Sequence, residues 1–213
     1  DVLCSAAREG RSPHEWPRSL RDESERLWER ELEWQSREDA FVESAEANEW
    51  EFDDTAVSLR EFSLRVIDAC VGQVGIIKPQ VAFFERFGSQ GLLALEQVLA
   101  EARAANLFVI SDAKRGDIGS TMQGYSEAWF GDDSPLRSDA LTVSGYLGPD
   151  SLDGMLEFAS DVHGGLFVLC ATSNPEAKQL QTAKHGNKTV ARLVLEAARK
   201  SESKNLGLVV GAT

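Results

Sequence analysis

The segment Asp112-Ala113-Lys114-Arg115-Gly116-Asp117-Ile118-Gly119-Ser120-Thr121 sets two carboxylates and an ammonium within six residues of one another. Residues two apart in an extended chain point to the same side, so Asp112 and Lys114 can be aimed into one pocket. Asp117 follows beyond Gly116, where the backbone can turn. A carboxylate beside a lysine favours the ammonium form, and two clustered carboxylates repel any third anion brought between them. The chemistry this permits is proton donation from a lysine, next to a site that disfavours a bound carboxylate. Taken alone, Asp-x-Lys-x-x-Asp also fits a structural ion-pair network on a loop.

Elements of suitable length surround the segment. Leu107-Phe108-Val109-Ile110 is an apolar run of strand length, and Tyr125–Phe130 reads as helix, so the charges are expected on a strand-to-helix loop. The same alternation repeats along the chain. Strands are predicted at 74–78, 107–111, 140–144, 166–170 and 206–211, with helices near 57–71, 90–105, 120–130, 151–159 and 189–201. Repeated strand-helix units give a parallel sheet, either closed as a barrel or open and doubly wound. Lys78, Asp112, Ser144 and Ser173 each fall just after an apolar run. Barrel enzymes gather their catalytic groups at that position, which favours the barrel.

Composition narrows the function classes. With 213 residues, 42% of them hydrophobic, and a mean hydropathy of -0.27, the chain fits a soluble globular protein with one sizeable core. A formal net charge of -13 argues against nucleic acid or an anionic membrane surface as partner, since both need a basic face. Cys4, Cys70 and Cys170 are odd in number and far apart, with no Cys-x-x-Cys pair, so buried thiols in a reducing compartment are expected. No apolar stretch reaches the roughly 20 residues of a membrane span, and the charged N-terminus lacks a signal-peptide pattern, so a cytoplasmic location is expected. His14, His163 and His185 have no partners at metal-ligand spacing and read as surface or loop residues.

Residues 1–56 differ from the rest. Arg18–Glu51 is dense in Glu and Arg, with Trp28, Trp34, Phe41 and Trp50 scattered through it. It reads as one or two charged helices whose aromatic residues dock on the body, or as an acidic interaction segment.

Three further motifs accompany the charged segment: Lys78-Pro79-Gln80 followed by Ala82-Phe83-Phe84-Glu85-Arg86-Phe87-Gly88; Thr142-Val143-Ser144-Gly145-Tyr146-Leu147-Gly148; and Ala171-Thr172-Ser173-Asn174-Pro175. In this order and spacing, with Tyr125, they resemble the orotidine 5'-phosphate decarboxylase family, specifically its bacterial group with the Asp-Ala-Lys-Arg-Gly-Asp-Ile-Gly-Ser-Thr signature. The resemblance covers about residues 57–213. It implies a (β/α)8 TIM-type barrel that forms a homodimer through the barrel mouths, with shared active sites. It also implies conversion of orotidine 5'-phosphate to UMP and carbon dioxide in de novo pyrimidine biosynthesis, with no metal or cofactor.

By position, Lys78, Asp112, Lys114 and Asp117 match the family's alternating charged tetrad, whose second aspartate reaches into the neighbouring subunit's site. The resemblance implies that Lys114 protonates C6 of the pyrimidine and stabilises the developing carbanion. Asp112 would crowd the substrate carboxylate, while Lys78 and Asp117 would hold the network and contact the ribose. Ile118 and Thr121 match residues that reach across the dimer as an apolar wall and a hydroxyl donor. Ser173 matches the serine that recognises the pyrimidine edge, and Ser144 is read as a turn cap.

Two stretches depart from the family pattern. The family's first strand carries Gly-x-Asp-Pro; here Leu3-Cys4 is followed by other residues up to Gly10-Arg11-Ser12-Pro13, and Ser12 stands where the ribose-binding aspartate belongs. The run Val209–Thr213 resembles the sixth barrel strand; the seventh and eighth, with the phosphate-binding loop and arginine, would follow it. The expectation is an incomplete barrel, with strands 2–6 in residues 57–213 and residues 1–56 packing on it as an altered N-terminal segment. Phosphate contacts remote from the reacting carbon supply energy to the chemical step, so weakened turnover is expected. The alternatives are a magnesium-dependent sugar-phosphate decarboxylase or aldolase of the same superfamily, and a non-catalytic barrel fragment acting as a binding or assembly protein.

Overall fold

Helix α1 (Ala56–Cys70) starts where Thr55 Oγ1 accepts the backbone N–H of Ser58, an N-cap of the kind that ends the search for a first-turn partner. It belongs to residues 54–211, which the computed structural model describes. Expectations for residues 1–53, including Cys4, Ser12, His14 and the charged stretch 18–51, lie outside the described residues.

After α1 the chain runs through β1 (Ile76–Ile77), α2 (Val81–Glu85), α3 (Gly88–Ala104), β2 (Phe108–Arg115) and α4 (Gly119–Phe130). There follow β3 (Ala140–Val143), a 3-10 turn (Pro149–Leu152), α5 (Asp153–Asp161), β4 (Gly165–Ala171) and α6 (Ala177–Gln181). A small hairpin of β5 (Lys184–His185) and β6 (Lys188–Thr189) then leads into α7 (Val190–Lys200) and β7 (Leu206–Val210).

The main sheet has the order β1-β2-β3-β4-β7, with every neighbouring pair parallel. A doubly wound sheet reverses its strand order at a switch point; here order in space follows order in sequence. Sequential parallel strands with same-handed helical crossovers keep the helices on one face, which is how a barrel wall is built. The described residues are therefore a five-stranded section of a TIM-type barrel.

Alternation along the strands separates the two faces. Val109, Leu141, Val143, Leu166 and Val168 are buried with Leu95, Val98 and Leu99 of α3 and Met155 of α5, forming the core between sheet and helices. Ile76 and Phe108, of opposite parity to the buried positions, are 57% and 63% exposed. Burying eight such aliphatic side chains, at about 1.5–3 kcal/mol each, gives the layer the stability to hold a charged site at its strand ends.

The predicted elements are present, with one consequential difference. The strand expected at 107–111 continues as β2 through Arg115, so Asp112 and Lys114 lie in the strand itself and not on the loop after it. The helix expected from 151 begins as a 3-10 turn with Pro149 in its first turn, where proline's fixed φ and missing N–H are tolerated. Helices α2 and α6 and the β5–β6 hairpin had no clear periodicity to reveal them. Cys170 is buried and Cys70 half-buried, and burial pushes both thiols up. Among the described residues no helix is long and apolar enough to cross a membrane.

Candidate active site

Three of the charged side chains singled out in the sequence meet at one carboxylate. Asp112, only 7% exposed, accepts from Lys114 Nζ at 2.5 Å and from Thr142 Oγ1 at 2.8 Å on Oδ1. On Oδ2 it accepts from Lys78 Nζ at 2.9 Å and from Gln80 Nε2 at 3.1 Å. A carboxylate offers about four lone-pair positions, and Asp112 has donors for all of them. Burial by itself would raise its pKa. The hydrogen bonds from Lys114, Lys78 and Thr142 outweigh that and bring it down to about 2. Asp112 is thus a fixed negative charge that cannot easily turn away or accept a proton at neutral pH. The two lysine side chains remain about half exposed, at 45% and 53%, which leaves their ammonium groups accessible to a ligand.

Backbone contacts bring these groups into register. Asp112 N–H donates to the Pro79 carbonyl at 3.0 Å, and Gln80 forms an isolated parallel bridge with Asp112. The Lys78-Pro79-Gln80 run is thereby laid along the end of β2 before α2 begins. On the other side of β2 the pairing slips: Ser111 is opposite Leu141, but Arg115 is opposite Val143. Asp112, Ala113 and Lys114 therefore face the single residue Thr142, forming a bulge. Lys114 sits at φ 51°, a left-handed conformation that costs a residue other than glycine about 1–2 kcal/mol. Plain strand alternation was the expected reason for Asp112 and Lys114 to share a side; the bulge and the turned backbone of Lys114 are what bring them into contact.

Arg115 fastens the end of the same strand. Its guanidinium pairs with Glu85 of α2 and lies 5.8 Å from the ring centroids of both Tyr125 and Trp129 of α4. Ser144 N–H donates to the Arg115 carbonyl at 2.7 Å, so Ser144 joins the loop after β3 to the end of β2.

The other predicted site residues lie around this cluster rather than in it. Asp117 is partly buried, and its Oδ1 accepts the Ile118 N–H at 2.8 Å. Ile118 is 61% exposed, and Thr121 is exposed in the first turn of α4. Ser173 is exposed just beyond β4, and a β-carbon on Gly211 would stand 2.7 Å from its Cβ, so the end of β7 packs against it. Gln181 braces this loop: its Oε1 accepts the Thr172 N–H at 2.8 Å and its Nε2 donates to Thr172 Oγ1 at 2.9 Å.

Thr142 and Gln80 were not marked as site residues in the sequence. Gln80 could have been noticed from its place beside Lys78. Thr142 carried a weaker signal, a hydroxyl inside the apolar run Ala140–Val143 at a strand end.

The chain is similar to known proteins. A family model described as orotidine 5'-phosphate decarboxylase / HUMPS family matches residues 56–213. An orotidine 5'-phosphate decarboxylase from Streptomyces coelicolor is 47% identical over 171 residues, covering 78% of this chain and 62% of the relative. A crystal structure from Streptomyces avermitilis superposes with TM-score 0.72 at 49% identity, over 76% of this chain and 59% of that one. The structure of Leishmania donovani OMP decarboxylase gives TM-score 0.67 at 37% identity, over 75% of this chain and 62% of that one. The chain spans about three-fifths of the length of these relatives.

Proposed function

The chain belongs to the orotidine 5'-phosphate decarboxylase / HUMPS family, and on that premise we propose that its site decarboxylates orotidine 5'-phosphate to UMP and carbon dioxide, a step of pyrimidine biosynthesis. The observation that carries this reading is Asp112 held between the ammonium groups of Lys78 and Lys114.

The substrate carboxylate at C6 is placed next to Asp112, whose four donors keep its charge fixed in position. The C6–carboxylate bond breaks, its electron pair stays on C6, and carbon dioxide departs. Lys114 Nζ lies beside the vacated position; its positive charge stabilises the carbanion, and it then transfers a proton to C6. Water returns the proton to the amine. Preorganised charge of this kind costs no reorganisation during the reaction and is commonly the largest contribution to catalysis. Lys78 holds Asp112 from the other oxygen, and Asp117 of the neighbouring subunit extends the network toward the ribose. Ser173 reads the pyrimidine edge.

The protein acts as a homodimer in the cytoplasm. Ile118, Tyr146 and Leu147, at the loops following β2 and β3, are 61%, 77% and 56% exposed. Such an apolar rim at the strand ends supports a partner subunit there, with Ile118 and Thr121 contributing across the interface. Both oxygens of Asp112 are engaged by lysine ammonium groups, which favours charge-stabilised decarboxylation over the magnesium-dependent sugar-phosphate alternative.

The test is decarboxylation of orotidine 5'-phosphate by purified protein, followed at the pyrimidine absorbance with and without EDTA. The expected result is activity insensitive to EDTA and reduced by at least ~10³-fold in Lys114→Ala. No turnover by a folded wild-type protein would favour the binding or assembly reading, and activity that needs magnesium would favour the sugar-phosphate one.

A further inference from the structure

We propose that Thr142 is a positioning residue, whose hydroxyl bridges the Lys114 backbone and the Asp112 carboxylate and so holds the bulge from which Lys114 reaches the site. The inference rests on the decarboxylase reading for its kinetic consequence and on the geometry of β2 and β3 for the rest.

Thr142 is 4% exposed and lies between Leu141 and Val143, the two β3 residues that pair with Ser111 and Arg115. In a regular strand the Lys114 N–H would point to the β1 side, as those of Phe108 and Asp112 do toward the Gly75 and Pro79 carbonyls. The bulge turns it toward β3 instead, where it donates to Thr142 Oγ1 at 2.9 Å, so a side chain and not a ladder carbonyl receives it. The same oxygen lies 2.8 Å from Asp112 Oδ1.

The direction of these bonds is fixed by the inventory of protons. The Lys114 N–H can only donate, which makes the hydroxyl an acceptor there. An ionised carboxylate can only accept, which sends the hydroxyl proton to Asp112. One buried oxygen therefore joins the left-handed backbone of Lys114 to the carboxylate that its own ammonium contacts. The three groups form a closed loop: Lys114 N–H to Thr142, Thr142 O–H to Asp112, and Asp112 to Lys114 Nζ at 2.5 Å.

A hydroxyl in this place cannot be replaced by a methyl of the same shape. Thr142→Val would remove the donor to Asp112 and leave the Lys114 N–H without its acceptor, freeing Lys114 to relax from φ 51°. Thr142→Ser would keep both bonds and lose only the methyl. A displacement of about 1 Å in a catalytic group costs on the order of 10²-fold in rate.

The experiment compares wild type, Thr142→Val, Thr142→Ala and Thr142→Ser in the full chain. It reads kcat and KM for orotidine 5'-phosphate, the titration of Asp112 by 13C-carboxyl NMR, and exchange of the Lys114 amide hydrogen. Expected for Thr142→Val are a kcat lower by about 10²-fold with KM within about 3-fold of wild type, an Asp112 midpoint moved upward, and faster exchange at Lys114. Thr142→Ser should restore all three, and Thr142→Ala replaces Thr142→Val if the latter does not fold. A wild-type midpoint and kcat in folded Thr142→Val would overturn the proposal, as would a serine variant as impaired as valine. If the wild-type protein does not decarboxylate the substrate, the functional reading fails separately and the two NMR readouts decide on Thr142: movement in valine but not serine upholds the bridge, and no movement refutes it.

Discussion

Gly116 and Ser144 are so close that a β-carbon on Gly116 would stand 2.3 Å from the Ser144 carbonyl oxygen. The obstacle is backbone and cannot rotate aside, and Ser144 N–H is itself tied to the Arg115 carbonyl. The loop carrying Asp117 therefore leaves β2 pressed against the end of β3, and glycine is needed for close approach. Gly116→Ala should lower stability by about 1–3 kcal/mol and kcat by roughly 10-fold or more through displacement of Asp117. Urea unfolding and steady-state kinetics measure both; an alanine variant as stable and active as wild type would show that the contact can open at little cost.

Acid should weaken the fold through Asp112. Its pKa is about 2 in the folded chain against about 3.9 unfolded. A depressed carboxylate contributes stability above the unfolded value and loses it as pH falls through the folded one, here from about pH 4 toward pH 2. In Asp112→Asn the ammonium groups of Lys78 and Lys114 lose their shared counter-charge, so its Tm should lie below wild type at pH 7. The difference should shrink across that acid window. A Tm difference that stays constant down to pH 2 would place the origin of the destabilisation elsewhere.

Arg115 points away from the carboxylate cluster, toward Glu85, Tyr125 and Trp129. It links β2, α2 and α4, the elements that supply Lys114, follow Lys78, and carry Thr121. The ion pair is partly exposed, so its worth is modest, about 0.2–1 kcal/mol, with a comparable share from the aromatic contacts. Arg115→Met should keep much of the packing and cost about 1–2 kcal/mol by thermal or urea unfolding. Arg115→Lys should recover only part of this, because an ammonium does not stack as a planar guanidinium does. Full recovery in lysine would reduce the role of Arg115 to its charge.

Much of this architecture was legible because apolar runs of strand length alternate with amphipathic helices, and because Asp112, Lys114 and Lys78 sit at strand ends. The bulge was not. A period-2 pattern carries no mark for one residue entering the left-handed region, and Lys114 has none of the glycine character that announces such a turn. Thr142 was hidden for a related reason: threonine is common in strands for its β-branching, so its hydroxyl gains meaning only when β2 slips past it. Helix α2 and the β5–β6 hairpin were missed because each is too short to show a period; α2 is also held by a contact distant in sequence, Arg115 with Glu85, whereas the hairpin pairs only Lys184 with Thr189 and His185 with Lys188. Asp117 was legible as a charge, yet within one chain its Oδ1 is directed at its own loop.

That orientation bears on where Asp117 acts. Lys78, Asp112 and Lys114 form their cluster within one subunit, while Asp117 stands on the loop beside exposed Ile118 at the strand-end rim. If Asp117 serves the neighbouring subunit's site, Lys114→Ala and Asp117→Ala should each be strongly impaired alone but complement when mixed. In a mixed dimer one site carries both defects and the other carries neither. Random reassortment of equal amounts puts half the dimers in the mixed form, so about a quarter of all sites are intact. Unfolding and refolding the two variants together should therefore raise activity to about a quarter of the wild-type value, with a purified heterodimer reaching about half. No recovery on mixing, with heterodimers verified by mass, would assign Asp117 to its own subunit's site, because each site would then carry one of the two substitutions.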